Sequence, residues 1–428
     1  MDLLRILTDQ RDELLATDTS SLITRAEETE IKMDSPLAQV VIGVRRSGKS
    51  TLCQKRILES GVDFGYVNFD DDRLFNLKTE QLDDVLQALY RLYGDFSHLF
   101  LDEIQNIQGW PLFVNRLLRQ KKHLIITGSN ANLLSGELSS HLTGRYHEIR
   151  LFPFSFNEYC MTEQIDLNGQ STKSQALRLK ALDQYLMHGG FPELTENVNR
   201  KEYIQSLLNA VVTKDICRRY NIRNSNVIWQ LANVLFDRLC QEIFSNGIKD
   251  LFDVKSPHTI QRYISYLKSA FLMVGVPKYS FKSIERHSTE KLYAIDNAFI
   301  SDRDNVLMSE NLGWRLENTI AIELMRRCRT ESESIYYLRK PKVYEVDFVK
   351  VERAKIKQLI QVTYDFSSPS TKQYSREVGG LLKGSAETGC DDLLLIVMIG
   401  NPTTIEIDGK EIKIVTATDW LLERKDDE

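Results

Sequence analysis

The chain has 428 residues, of which 42% are hydrophobic and 27% charged, with 9 prolines and 21 glycines. This composition excludes collagen-like, low-complexity and disordered classes, and the length predicts about two to four domains. A net charge of -5 excludes a protein whose whole surface binds nucleic acid. Six cysteines without a C-x-x-C pair indicate neither a zinc site nor a disulfide framework. Because no apolar run approaches about 18 residues, we expect a cytoplasmic protein without a membrane span.

Three domains follow one another in the predicted element order. Residues 1–160 alternate short apolar runs with amphipathic stretches, which is typical of an α/β fold with a mainly parallel sheet. The predicted strands are Gln39–Gly43, Gly65–Phe69, His98–Asp102, His123–Thr127 and Tyr146–Leu151. Helical periodicity dominates residues 161–305. Residues 306–428 predict a third domain with the order αβββαβ.

A phosphate-binding motif follows the first predicted strand. The segment GVRRSGKS fits G-x-x-x-x-G-K-[ST] and precedes a helical stretch, as a P-loop requires. Backbone N–H groups of such a loop face a phosphate, Lys49 reaches the β- and γ-phosphates, and Ser50 can ligate Mg²⁺. We therefore predict a site for ATP and Mg²⁺, with an ordinary glycine-rich turn as the alternative. Its residues are Gly43, Val44, Arg45, Arg46, Ser47, Gly48, Lys49, Ser50 and Thr51.

Polar residues at the ends of later strands complete this predicted site. Asp102 and Glu103 end an apolar run, and carboxyl ends of parallel strands are where ligands bind. We expect Asp102 to hold Mg²⁺ through water and Glu103 to orient or deprotonate the attacking water. Ser129 and Asn130 could fix that water or form a simple turn. Arg145 could stabilise charge on the γ-phosphate of a neighbouring subunit, or be a surface arginine.

Several segments together resemble one ATPase family. They are GVRRSGKST, YVNFDDDRL, LFLDEIQN, ITGSNANLLS, LTGRY and LFPFSFNEY, and the resemblance continues through HGGFPE, KDICRRY, TIQRYISYL, LYAIDNAF and EN...EVDF...QLIQVTY. The chain is similar to bacterial and archaeal AAA+ ATPases that carry a C-terminal domain of unknown function. This resemblance implies an AAA+ core with a central P-loop strand and Walker B at Asp102 and Glu103. It also implies a sensor at Ser129 or Asn130, and an arginine finger at Arg145 in a homo-oligomer.

The middle of the chain has the element order of a winged helix. Residues 246–270 predict helix, turn and helix, with Ser256 as N-cap and Pro257 at the first helical position, and a predicted hairpin follows. Residues 201–300 contain more Lys and Arg than Asp and Glu, which favours local contact with DNA. The candidate DNA contacts are His258, Gln261, Arg262, Tyr266 and Lys268. Alternatively, the winged helix only packs domains together, because its apolar residues have core spacing.

Carboxylates near the end of the chain have the order found in PD-(D/E)xK nucleases. Glu317 lies on a predicted helix and Asp347 in the segment EVDF, whereas Gln361 and Thr363 follow in the next strand. In those nucleases a helix acid, an Asp and a Glu-x-Lys bind a divalent cation and position water. Gln361 stands where the second acid is expected, and Thr363 where the lysine is expected. We predict a nuclease-like fold that is inactive as a nuclease.

Three functions compete on these observations. The first is an AAA+ ATPase that couples nucleotide state to the winged-helix and nuclease-like half, acting on DNA. The second is a nucleotide-gated binding or signalling module with negligible turnover. The third is an ATP-regulated, metal-dependent nuclease with a displaced lysine such as Lys340 or Lys342.

Overall fold

The computed structural model describes residues 2–130, 142, 144–195, 199–252, 254, 256–280, 289–301, 311–330 and 332–423. The chain divides into two compact units. The first consists of Met1–Pro153 with Ser269–Phe271, and the second of Phe154–Lys268 with Leu272–Glu428. All six cysteines lie in the described part of the chain and are free thiols. No helix among these residues has the length and apolar character needed to cross a bilayer.

A five-stranded parallel sheet forms the centre of the first unit. Its strands are β1 (Ala38–Ile42), β2 (Phe64–Asn68), β3 (His98–Asp102), β4 (His123–Gly128) and β5 (Tyr146–Arg150). Their order across the sheet is β2-β3-β4-β1-β5, and every neighbouring pair is parallel. Each observed strand agrees with its prediction to within one residue at either end, so the predicted α/β fold is confirmed here. Every residue of β1 and β3 is buried, as expected for strands covered on both faces.

Helices cover this sheet, because parallel strands need crossover connections. They are α1 (Leu3–Leu15), α2 (Lys49–Glu59), α3 (Leu82–Tyr93) and α4 (Trp110–Arg119). Short 3₁₀ turns lie at Thr19–Ser21, Ala26–Glu30, Asp72–Leu74, Thr79–Gln81 and Ile104–Asn106. The Gln10 amide of α1 donates to the Asn68 carbonyl at 3.0 Å and accepts from the Asn68 N–H at 3.0 Å. It also donates to Asp71 Oδ2 at 2.9 Å, so α1 is joined to the end of β2.

The second unit begins with helices. They are α5 (Phe156–Thr162), α6 (Thr172–His188), α7 (Arg200–Ala210), a π-helix (Val211–Arg218), α8 (Ser225–Phe236), α9 (Ser245–Lys249) and α10 (Pro257–Ser269), with a 3₁₀ turn at Pro192–Thr195. Strands β6 (Met273–Pro277) and β7 (Glu290–Ala294) then pair antiparallel, and a short α11 (Ala298–Ser301) follows. Pro257 is the first residue of α10, as predicted. Residues 281–288, which include most of the turn of the predicted hairpin, lie outside the described residues.

A six-stranded mixed sheet follows in the same unit. Its elements are α12 (Leu312–Arg327), β8 (Glu333–Lys340), β9 (Tyr344–Glu352), β10 (Lys355–Asp365), α13 (Thr371–Thr388), β11 (Leu393–Ile399), β12 (Thr403–Ile407), β13 (Lys410–Thr416) and α14 (Ala417–Leu422). The strand order is β12-β13-β11-β10-β9-β8. The predicted order αβββαβ is present from α12 to β11. The hairpin of β12 and β13, and α14 after it, were not predicted.

The β6–β7 hairpin packs on the edge of the six-stranded sheet. The Tyr279 N–H donates to the Tyr337 carbonyl at 2.7 Å, and the Tyr337 hydroxyl donates to Glu242 Oε1 at 2.9 Å. Without this contact, the edge strand β8 could pair with a strand of another chain, so the hairpin protects β8 from aggregation. The predicted middle and C-terminal domains therefore share one unit. Their predicted boundary near residue 305 lies outside the described residues.

Two glycines allow α13 to approach β9 closely. A Cβ atom at Gly380 would lie 2.7 Å from the Glu345 carbonyl oxygen, and one at Gly384 would lie 2.8 Å from Val346 Cγ2. Gly379 is next in the same helix, but a Cβ there would meet only Ser375 Oγ at 3.7 Å. The two adjacent positions therefore differ in packing while sharing the same helical backbone.

This difference predicts opposite effects of one substitution. Gly380→Ala should lower the free energy of unfolding by about 1 to 3 kcal/mol, because a backbone carbonyl must move. Gly379→Ala should raise it by about 0.5 to 1 kcal/mol, because alanine favours the helix. Urea unfolding midpoints of the two variants measure the difference. Equal midpoints would show that α13 can shift without cost.

Candidate functional site

The phosphate motif forms a tight loop between β1 and α2. Gly48 has φ of +94°, and a Cβ atom at Gly43 would lie 2.1 Å from the Leu151 carbonyl oxygen, so both positions require glycine. Ser47 is fully buried, and its hydroxyl has no hydrogen-bond partner among the described residues. An anion at the N-terminus of α2 would supply that partner, which fits a bound phosphate. Arg46 and Thr51 are exposed beside the loop.

The Lys49 side chain crosses the loop. Its ammonium donates to the Val44 carbonyl at 3.0 Å and lies 3.9 Å from Glu103 Oε1. Both groups are well shielded from solvent, since Lys49 is buried and the Glu103 side chain is 13% exposed. The structure thus brings together the lysine and the glutamate that the sequence predicted for one site.

Asp102 lies at the bottom of the same site. Its carboxylate accepts a hydrogen bond from Ser50 Oγ at 2.8 Å and another from the Thr127 hydroxyl. The Glu103 N–H in turn donates to Thr127 Oγ1 at 2.9 Å. Burial raises the pKa of the Asp102 carboxyl to about 6, and the charge of Glu103 adds to this effect. Ser50 and Asp102, the two residues predicted to bind Mg²⁺, are therefore hydrogen-bonded to each other directly.

Gln105 holds the Glu103 side chain. Its amide donates to Glu103 Oε2 and lies 3.5 Å from Ser129 Oγ, which connects the two predicted residues. Ser129 and Asn130 are both buried at the end of β4. Gln105 was not predicted, although it stands two residues after Glu103 in the LDEIQ segment. The sequence signal was present in that segment.

Arg145 lies at the other edge of the sheet. Its carbonyl accepts from the Ala38 N–H at 3.0 Å, at the start of β1, whereas the phosphate loop follows the end of β1. The guanidinium is exposed and donates to Asn115 Oδ1 at 3.1 Å. The structure therefore does not bring Arg145 to the nucleotide site of its own chain.

Arg25 supports the phosphate loop through hydrogen bonds to backbone carbonyls. The buried Arg25 guanidinium donates to the Phe152 carbonyl at 2.8 Å and to the Ser47 carbonyl at 3.2 Å. It links the phosphate loop to the segment after β5. Arg25 lies in no motif, and the sequence has no local signal that could have identified it.

The predicted carboxylate constellation assembles in the second unit. Gln361 Oε1 accepts from the Asp347 N–H at 3.3 Å, and Asp347 Oδ2 accepts from the Val362 N–H at 2.9 Å. Thr363 instead accepts a hydrogen bond from the Gln373 amide at 3.2 Å. Among the residues with described positions, no group of three or more His, Cys, Asp or Glu is arranged to hold a metal ion.

A lysine from β7 lies among these carboxylates. Lys291 Nζ is 2.6 Å from Glu345 Oε1, 3.3 Å from Glu317 Oε1 and 3.7 Å from Asp347 Oδ1. The Tyr293 hydroxyl donates to Glu317 Oε1 at 2.9 Å. Burial disfavours the lysine charge, yet the three carboxylates raise the pKa of Lys291 well above its usual value. Burial raises the pKa of Asp347 well above its usual value, and the carboxylate charges of Glu317 and Glu377 add to this effect.

The lysine candidates from the sequence are not in this cluster. Lys340 is exposed, with its ammonium 3.9 Å from Glu387 Oε2, and Lys342 is exposed in the turn after β8. A further acid does reach the cluster, because the Gln361 amide donates to Glu377 Oε2 at 2.8 Å. Glu377 is 1% exposed and comes from α13, which sequence order alone could not place near β10.

The candidate DNA contacts share helix α10. His258, Gln261 and Arg262 are exposed, and His258 Nδ1 lies 3.2 Å from Gln261 Oε1. Lys268 pairs with Glu290 at 2.6 Å instead of facing solvent alone. The Tyr266 ring stacks on the Tyr220 ring with centroids 3.6 Å apart.

The sequence of the chain is similar to known proteins and shows its family. Residues 35–160 match the AAA domain, and residues 179–306 match a domain of unknown function, DUF8612. The chain is 32% identical over 426 residues to the uncharacterized protein MJ1544 of Methanocaldococcus jannaschii, covering 96% of this chain and 93% of that protein. The chain belongs to the family of MJ1544. Its N-terminal part is an AAA domain with a P-loop ATPase fold.

Two further proteins are similar to this chain. An uncharacterized protein of Haemophilus influenzae is 28% identical over 408 residues, covering 91% of this chain and 95% of that protein. The solved Walker-type ATPase paby2304 of Pyrococcus abyssi is 14% identical, with a TM-score of 0.40, over 65% of this chain and 95% of that chain.

The raised pKa of Asp102 predicts a pH-dependent stability difference. Because the folded-state pKa is about 6, ionising Asp102 costs folding free energy as the pH rises through that value. Asp102→Asn should therefore stabilise the nucleotide-free protein by about 3 kcal/mol near pH 8, with little gain near pH 4. Thermal unfolding midpoints of variant and parent between about pH 4 and pH 8 test this. A constant difference across that range would contradict the assigned cause.

Proposed function

We propose that this protein binds ATP with Mg²⁺ at its P-loop and hydrolyses it to ADP and phosphate. One observation carries the proposal. Lys49 of the loop lies 3.9 Å from Glu103, the residue after β3, and Ser50 lies 2.8 Å from Asp102 at the end of β3, at the carboxyl edge of the parallel sheet. Phosphate binding and water activation need these two pairs of residues in one place.

The residues of the chain have separate tasks in this reaction. The loop N–H groups, the Ser47 hydroxyl and the Lys49 ammonium bind the phosphate oxygens, and Ser50 with Asp102 would hold the metal ion. Mg²⁺, when bound, neutralises charge on the phosphate oxygens. The oxygen of the attacking water bonds to the γ-phosphorus while the bond from that phosphorus to the β–γ bridging oxygen breaks. Glu103 accepts the proton that this water loses. Ser129 or Asn130 orients that water.

A second candidate function rests on Gln105. Its hydrogen bond holds Glu103 Oε2, and Lys49 lies 3.9 Å from Oε1, so a neighbouring group competes with water for each carboxylate oxygen in this arrangement. A protein that kept Glu103 in this state with ATP bound would be a nucleotide-gated binding or signalling module. Release of Glu103 from Gln105 distinguishes the ATPase from that module.

Substitutions at the site separate binding from turnover. Lys49→Ala should abolish measurable nucleotide binding, because it removes the phosphate-binding cation. Glu103→Gln should retain binding while lowering kcat by about 10²- to 10⁴-fold, because it removes the general base. Nucleotide affinity by fluorescence and phosphate release are the two measurements.

Glu80→Gln, an exposed glutamate of the same unit, is the matched control and should have parental turnover. Parental turnover in Lys49→Ala and Glu103→Gln would exclude this site as the ATPase centre. Tight binding with a parental kcat already as low as that of Glu103→Gln would favour the signalling module.

We extend the proposal to assembly and to DNA. Exposure of Arg145 at the sheet edge opposite its own P-loop fits an arginine finger that serves the site of a neighbouring subunit. For DNA, the exposed face of α10 adjoins a basic segment through the Tyr220–Tyr266 stack. The exposed basic residues near Tyr220 and Tyr266 in the sequence are Lys214, Arg218, Arg219, Arg223 and Arg262. Helix α10 and the segment from the π-helix to Arg223 thus supply the contact surface, while the β6–β7 hairpin of the proposed winged helix packs on β8.

A salt series tests this DNA surface. Arg219→Ala/Arg262→Ala should weaken binding of duplex DNA and reduce the slope of log K against log salt by about 0.9 per lost phosphate contact. Arg5→Ala/Arg91→Ala removes two exposed arginines from the first unit and is the control. Fluorescence anisotropy at several salt concentrations, with ATP turnover in parallel, gives both readouts. Identical slopes for the two double variants would move the proposal towards a protein partner.

We also infer a nuclease-like fold without nuclease activity for the αβββαβ segment. Gln361 and Thr363 stand at the positions of an acid and a lysine, and the ammonium of Lys291 lies among the remaining carboxylates. This inference is separate from the ATPase proposal. Metal-dependent cleavage of plasmid that is lost in Asp347→Ala would establish the nuclease alternative instead.

A further inference from the structure

Three tyrosine rings form a cluster between helix α10 and the segment that follows the π-helix. The Tyr220 and Tyr266 rings are nearly parallel, with 9° between their planes and centroids 3.6 Å apart. The Tyr263 ring lies next to that of Tyr266, with centroids 6.2 Å apart. All three tyrosines are half-buried, so each keeps some surface open to solvent. ATP hydrolysis uses none of them.

The position of this tyrosine cluster follows from the sequence of α10. Tyr263 and Tyr266 are three residues apart, so they are neighbours on the surface of the helix. The packed face of α10 consists of Ile260, Ile264 and Leu267, which are buried. The two tyrosines are only half-buried and therefore lie at the margin of that face, where one side of a ring can pack while another meets a ligand.

The two segments that carry the rings, residues 213–226 and 256–268, are basic. Their exposed lysines and arginines are Lys214, Arg218, Arg219, Arg223 and Arg262. Their one acid, Asp215, is 5% exposed, so neither segment presents an exposed carboxylate. Arg219 precedes Tyr220 directly, and Arg262 precedes Tyr263 directly. Cations beside aromatic rings match a nucleic acid strand, because its phosphates need cations and its bases need flat partners.

The rings distinguish unpaired DNA from paired DNA. In a duplex each base is already stacked on its neighbours, so phosphate contacts from the arginines do not bring a base face to a tyrosine. An unpaired base can leave that stack and lie on an aromatic side chain. The 3.6 Å between the Tyr220 and Tyr266 rings is close to the rise of about 3.4 Å between bases of a DNA strand. A base can therefore continue the stack of rings.

We propose that the tyrosine cluster of Tyr220, Tyr263 and Tyr266 stacks unpaired bases of single-stranded DNA, whose phosphates contact the arginines beside it. This role rests on the DNA surface of the proposed function and adds base contacts to its phosphate contacts. The arginines bind the phosphates of any strand, whereas the rings bind only a strand whose bases are present and unpaired.

A strand without bases separates the two kinds of contact. In fluorescence anisotropy, the full chain should bind a thymidine homopolymer more tightly than an abasic strand of equal length, which has the same phosphates. Tyr266→Leu should weaken binding of the thymidine strand by about 5- to 150-fold, the range expected for one lost base stack. Its affinity for the abasic strand should equal that of the parent. Tyr266→Phe keeps the ring and should bind both strands as the parent does.

Tyr374→Leu is the matched control, because Tyr374 also stacks on a neighbouring ring at the surface of the same unit but lies on α13. It should bind both strands as the parent does. Equal affinity of the parent for the two strands would overturn the stacking role, as would an equal loss on both strands in Tyr266→Leu. The parental comparison holds even if Tyr266→Leu does not fold.

The stacking role and the DNA surface can fail separately. Equal binding of both strands, with the salt slope still reduced in Arg219→Ala/Arg262→Ala, would overturn the stacking and leave the DNA surface in place. Tighter binding of a uridine RNA homopolymer than of the thymidine strand would overturn the assignment to DNA. Failure to bind any of these strands, or duplex DNA, would overturn both proposals, whereas ATP turnover would be unaffected.

Discussion

The hydrogen bond from Ser50 to Asp102 joins the phosphate loop to the strand that carries the carboxylates. It exists because β1 and β3 run parallel and end at the same edge of the sheet, with only β4 between them. Thr127 at the end of β4 donates to the same carboxylate, so residues from the ends of three strands meet at the Asp102 side chain. The positions of Lys49 and Glu103 follow from this meeting point. Sheet order, rather than any single motif, therefore builds the nucleotide site.

Much of the first unit could be predicted because its information is local. Buried parallel strands are continuous apolar runs, and the P-loop is a contiguous motif whose spacing reflects its geometry. Arg25 and Gln105 were missed for different reasons. Arg25 reaches the loop from a distant segment without a pattern, whereas Gln105 follows two acids whose position at a strand end is the stronger signal in that segment.

The second unit was harder because its main contacts join distant parts of the chain. Helix α12 and strands β8 to β11 have clear periodicity, and Glu317, Asp347 and Gln361 do meet. Lys291 and Glu377 enter the same cluster from β7 and α13, and no local pattern records that convergence. The β12–β13 hairpin was predictable from sequence, because Asp408-Gly409 between two alternating runs is a strong hairpin signal. In the structure both residues have the positive φ that such a turn requires, 52° and 73°.

The hydrogen bonds of Gln10 connect α1 to the nucleotide site through the end of β2. Gln10 contacts Asn68 and Asp71, and the neighbouring Asp70 lies 3.5 Å from Arg45 of the phosphate loop. The N-terminal helix is thus part of the ATPase unit rather than an added segment. In terms of sequence evolution, we expect position 10 to tolerate few substitutions, because two of the three hydrogen bonds of Gln10 go to backbone atoms of Asn68 that a change of residue 68 leaves in place.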